Sequence, residues 1–145
     1  MTMHTIEKEI LVESLYGKAF ASYQASVIGG YMIKHNITLP ALRFECKGKG
    51  TAGYYSAPFK GKSAYICINT AYYAGGSTVN LETTIAHELA HHIAHCIWPN
   101  AKQWHGAEFR MVMNSIGYDG NTYHRMSVKV AKQVASKAKD ELFEF

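Results

Sequence analysis

The chain has 145 residues, 48% of them hydrophobic, and a formal charge of +4. That suits one compact domain with a core, is too short for two, and argues against intrinsic disorder. No apolar run approaches the ~20 residues of a membrane helix, and the opening stretch MTMHTIEKEILVESLYGKAF lacks the clean apolar centre of a signal peptide, so a cytoplasmic location is expected.

From about Glu7 to His35 the pattern is helical, with Ile6, Ile10, Leu11, Leu15, Ala19, Phe20, Tyr23 and Val27 recurring at helical spacing. Gly17 and the pair Gly29-Gly30 are the places where this stretch would bend or divide. Three short extended runs follow, at 41–47, 51–57 and 63–69, joined by Gly- and Pro-bearing turns. They predict a small antiparallel sheet. After a loop at 71–80, Asn80 is placed to cap a helix from Leu81 to Trp98. Ile85, Leu89, Ile93 and Ile97 give that helix a core-facing stripe, Glu82 suits its first turn, and Pro99 stops it. A helix from Gly106 to about Ser115 is expected next. The last is SVKVAKQVASKAKDELF, which would bury Val130, Val134, Ala138 and Leu142.

The three cysteines, Cys46, Cys67 and Cys96, are widely spaced and form no CxxC pair. They are read as small buried side chains in a reducing compartment rather than a disulfide framework or zinc ribbon. Between Arg43 and Lys62 lie Arg43, Lys47, Lys49, Lys60 and Lys62 against the single acid Glu45. Such a cluster suits either solvent or phosphate, and DNA is the partner it would suit.

The chemistry concentrates in TTIAHELAHHIAHCIWPN (83–100), which holds four of the eight histidines. His87-Glu88-Leu89-Ala90-His91 fits H-E-x-x-H on a helix. Residues four apart stand one turn apart on one face, so two imidazoles can grip one ion at ~2.0–2.1 Å. Glu88 is displaced beside the ion, placed to take a proton from a water there. HExxH arises by chance in unrelated helices, but here the helix has an apolar face, a cap and a stop. A catalytic site wants a third protein ligand. His95 cannot join both others, because eight residues of helix rise ~12 Å. His92 points to a different face, and both are read as surface or supporting groups; His4 and His35 are ordinary polar residues. The third ligand should return from beyond Pro99. His105, beside Gly106 in WHGAEF (104–109), is the best candidate, and Glu108 is the rival. The metzincin pattern fails, since Ala94 and Ile97 stand where it needs Gly and His.

These residues together resemble the SprT-like metalloprotease family, which includes bacterial SprT proteins and Spartan. The resemblance runs from about Leu39 to Lys129. GTAGYYS (50–56) with SAYICIN (63–69) is similar to the family's strand pair, IAHELAHHI (85–93) to its active-site helix, and HGAEFRMVM (105–113) to its third-ligand segment. GYDGNTYHRMSV (117–128) resembles the stretch that follows. The resemblance implies His87, His91 and His105 as Zn²⁺ ligands and Glu88 as general base. It implies zinc peptidase chemistry, with proteins bound or crosslinked to DNA as the substrates of Spartan-like members. The expected fold is α+β, a zincin-like domain of minigluzincin type. It has N-terminal helices, a small three-stranded antiparallel sheet, the HExxH helix and C-terminal helices, in one domain over 1–145 without a zinc ribbon. The strand at 63–69 is expected to be the edge that pairs with an extended substrate. Tyr123 and His124 are candidate donors to a developing oxyanion, with His124 preferred. The alternative function is a zinc-stabilised DNA-binding or regulatory module with little peptidase activity. A toxin or phage-encoded protease acting on one host protein is a third, which the residues do not weigh.

Overall fold

The computed structural model describes residues 5–44, 52–72 and 78–118. The expected final helix, Tyr123, His124, Cys46, Lys47 and Lys49 lie outside the described residues.

Helix α1 (Thr5–Gln24) runs unbroken through Gly17, and α2 (Gly29–Lys34) follows after a turn. The division falls at Gly29, where an added Cβ would run into the Gln24 carbonyl. Glycine lets the second helix start that close to the end of the first. The buried side of α1 is Val12, Tyr16, Phe20 and Tyr23, whereas Ile6, Ile10 and Val27 are exposed. Phe20 and Tyr23 of the expected pattern are buried and Leu11, Leu15 and Ala19 pack against the core, so the spacing finds most of the inner face but misses Val12 and Tyr16. Two tyrosines anchor that face. Tyr16 donates its hydroxyl to the Pro40 carbonyl at 2.7 Å, and Tyr23 donates to the Ala86 carbonyl at 2.8 Å. An aromatic ring with a polar tip can be buried once that tip has a partner, and burial pushes both phenols far above their usual range.

Strands β1 (Ala41–Arg43), β2 (Gly53–Ser56) and β3 (Tyr65–Ile68) form one sheet in the order β1-β3-β2. β2 lies antiparallel to β3 with Gly53 opposite Ile68, but β1 lies parallel to β3 with Ala41 opposite Tyr65. The sheet is mixed, which corrects the antiparallel expectation. Ile66, Cys67 and Ile68 are all buried, so the most apolar strand takes the centre and is covered on both sides. β3 is therefore no edge, and the substrate-pairing role expected of it fails; β2 is the edge strand on its far side.

Gly53 fits the sheet tightly. A Cβ there would stand 2.9 Å from the Cys67 carbonyl oxygen and 3.2 Å from Thr84 Cγ2. Cys67 is disulfide-bonded and Cys96 is a free thiol, so the reading of unpaired cysteines holds for Cys96 and fails for Cys67.

Helix α3 (Val79–Ile97) is the centre of the molecule, packed by α1 and α2, by the sheet and by α4 (Ala107–Asn114). Ile85, Leu89 and Ile93 are fully buried, and so are most residues between Thr84 and Ala94. A helix buried around its whole girth is a core helix, and truncating Leu89 to Ala should cost about 2–5 kcal/mol. Its cap position is Thr78 rather than Asn80, and Thr78 Oγ1 donates to Glu82 Oε1 at 2.9 Å. Among the described residues no helix is long and apolar enough to cross a membrane.

Candidate metal centre

The site is built by α3 and by the segment that turns back after Pro99. His87 and His91 project from successive turns of α3, and His105 stands just before Gly106, the cap position of α4. At Gly106 an added Cβ would crowd Gln103 Cβ at 3.3 Å and Glu108 Oε1 at 3.4 Å, so the small residue eases the approach. His105 Nε2 comes within 3.3 Å of His87 Nε2 and 3.1 Å of His91 Nε2. Bonds of ~2.0–2.1 Å at a tetrahedral angle put ligand nitrogens roughly 3.3–3.4 Å apart. The triad thus has the spacing a tetrahedral ion needs, and these three residues could hold a metal ion. Three imidazole nitrogens suit a transition metal such as zinc, copper, iron or nickel.

The surroundings are dry on one side and open on the other. His87 is 1% exposed and Glu88, the next residue, 2%. The Phe109 ring lies against all three imidazoles, with centroids 4.8, 4.5 and 5.0 Å from those of His87, His91 and His105. Trp104 lies 4.9 Å from the His91 ring and is 55% exposed. Among the described residues the donor cluster comprises these three histidines, and Glu108 is not part of it. Glu108 instead lines a neighbouring pocket with His95.

His92 is no surface group, and it is not a member of the donor cluster. It is buried, its Nε2 meets the Thr38 carbonyl at 2.9 Å, and its Nδ1 meets the Tyr55 hydroxyl at 3.2 Å. Nε2–H therefore donates to the carbonyl, and the tyrosine donates to Nδ1. Burial pulls the His92 pKa below its usual value, outweighing the carbonyl bond that would raise it. The neutral ring ties α3 to β2 and to the segment ahead of β1. The signal was available: position 92 lies seven residues after Ile85 and three after Leu89, on the core-facing stripe. Of the cationic residues, Arg43 stacks 3.8 Å over the Tyr65 ring and Lys60 lies 5.2 Å over Phe59.

Comparison with known proteins follows the same outline. The model of the SprT-like family matches residues 19–132, reaching further into α1 than the motifs themselves. Protein SprT of Vibrio parahaemolyticus serotype O3:K6 (strain RIMD 2210633) is 30% identical over 96 residues, 66% of this chain and 54% of that protein. The chain thus spans about half the length of that curated relative. No solved structure matches it significantly.

Proposed function

The chain belongs to the SprT-like family, and on that premise we propose that it is a zinc-dependent endopeptidase. The observation that carries the reading is the convergence of His87, His91 and His105 at 3.1 and 3.3 Å, with a buried carboxylate, Glu88, adjoining the first of them. Zinc, when bound, supplies a Lewis acid that lowers the pKa of a water towards ~7 and polarises a carbonyl.

The chain's own residues supply the rest. The Glu88 carboxylate accepts the proton of the attacking water and passes it to the departing amide nitrogen. Phe109 shields the inner side of the triad, which strengthens every charge interaction there. β2, an end strand of the sheet order β1-β3-β2, offers its outer side to an extended substrate, giving affinity through main-chain bonds. His124 is proposed as the oxyanion donor; His124→Ala should lower turnover and leave the zinc content unchanged.

The test measures zinc per chain and cleavage of unfolded casein, with and without single-stranded DNA, using Glu88→Gln as control. Stoichiometric zinc and Glu88-dependent cleavage are expected. Cleavage that persists in Glu88→Gln, or none at all from the zinc-loaded protein, ends the peptidase reading. The second reading, a zinc-stabilised DNA-binding module, draws on Arg43, Lys47, Lys49, Lys60 and Lys62. It would show DNA affinity that falls steeply with salt and is indifferent to Glu88. Substrates associated with DNA belong to the peptidase reading if DNA raises the cleavage rate.

A further inference from the structure

Beside the triad lies a pocket of about 300 Å³, formed by the last turns of α3, the segment between α3 and α4, and the start of α4. It adjoins the metal centre directly. Phe109, which touches all three imidazoles, lines it, and so does Trp104, whose ring packs on His91. The second indole, Trp98, forms another wall. Ala57 also lines it, and Ala57 follows β2 by one residue. A peptide laid along the outer edge of β2 would therefore pass its mouth.

The lining chemistry selects the occupant. Two indoles, a phenyl ring, Pro99 and three alanines give an apolar wall, and the charges of Lys102 and Glu108 oppose one another. Such a cavity offers no net attraction to a charged group and rewards apolar area and ring stacking. Its volume is at the low end of small-molecule sites, roughly 300–1,000 Å³. That is room for one large side chain.

We propose that this pocket is a specificity subsite that takes a single large apolar or aromatic side chain of the substrate, close to the bond at the histidine triad. The proposal rests on the peptidase reading above. It gives Trp98, Trp104 and Phe109 the task of choosing where the chain is cut, and it places His95 at the rim of that choice.

Trp98 and Trp104 are the chain's two tryptophans, so intrinsic fluorescence reports on this pocket directly. Zinc-loaded Glu88→Gln protein is titrated with Gly/Ser pentapeptides that carry one central Phe, Ala or Glu. The Phe peptide should bind roughly tenfold or more tighter than the other two, because apolar pockets discriminate at about that level, and it should shift the tryptophan emission. Ala101→Phe, which fills the pocket from its rim, should bring the Phe-to-Ala affinity ratio to about one while zinc stays bound. Equal affinities for all three peptides, or a ratio that survives Ala101→Phe, overturns the proposal. Assays of the wild-type enzyme on longer peptides separate the two claims. Selective binding without cleavage keeps the pocket and removes the peptidase; cleavage with no preference for large apolar residues keeps the peptidase and removes the pocket.

Discussion

Helix α3 carries neighbouring histidines whose company differs in kind. On one side, His87 and His91 turn their Nε2 atoms toward a third imidazole, His105, from another segment. On the other side His92 spends both ring nitrogens on a carbonyl and a hydroxyl from two other elements. Residue type and burial are nearly alike, with His91 8% and His92 6% exposed. What separates a ligand from a tie is the chemistry of the facing atom. A nitrogen facing nitrogens invites a cation between them; a nitrogen facing oxygens already has its hydrogen bond.

The comparison can be broken experimentally, most forcefully at Glu88 and His87. Glu88→Gln should lower turnover by about 10²–10⁴-fold with zinc content unchanged, as read by metal analysis beside peptide cleavage. His87→Ala should abolish both stoichiometric zinc and cleavage; a fully metallated His87→Ala protein would disprove the triad. His92→Ala should act on stability instead. It leaves the Thr38 carbonyl without its donor and opens a cavity, costing about 2–3 kcal/mol and several degrees in Tm. Zinc should stay stoichiometric in the folded variant, and its loss there would merge the two sides of the helix. Tyr55→Phe removes only the hydroxyl that meets His92 and should cost about 1 kcal/mol, measured by denaturant unfolding.

A smaller effect concerns alkaline pH and sharpens the contrast from the far side of α3. Burial raises the Tyr23 phenol above its ordinary range, while an unfolded chain ionises it near pH 10. The folded state therefore holds this proton more tightly. Its contribution is fully present below about pH 10 and is lost as pH climbs beyond that. Tyr23→Phe should flatten the alkaline limb of a Tm-against-pH curve, and an unchanged limb would assign it to other groups.

Much of the site was legible because it is local. HExxH fixes two donors and a carboxylate by helical geometry alone, and Pro99 forces the chain to return, which brings His105 within reach. The order of the strands was not legible. Whether β1 lies against β2 or β3 depends on which strand is best buried on both sides, a property of the assembled core rather than of a three-residue run. The inward turn of Tyr16 has the same origin: it faces inward because the Pro40 carbonyl awaits it, and that acceptor is not visible from the helix's own sequence.

Gly53 carries a consequence for the tolerance of the whole arrangement. Strand and helix meet there main chain to side chain, with no room for even a methyl group. On the strand side the gap between sheet and α3 is gauged by backbone, which cannot change rotamer; on the helix side it meets the short Thr84 side chain. Tyr55, two residues along on the same side of the strand, inherits that gauge when it reaches for His92. The histidine-bearing helix thus rests on the sheet through a contact whose strand half cannot adjust, and the placement of its imidazoles is tied to the sheet.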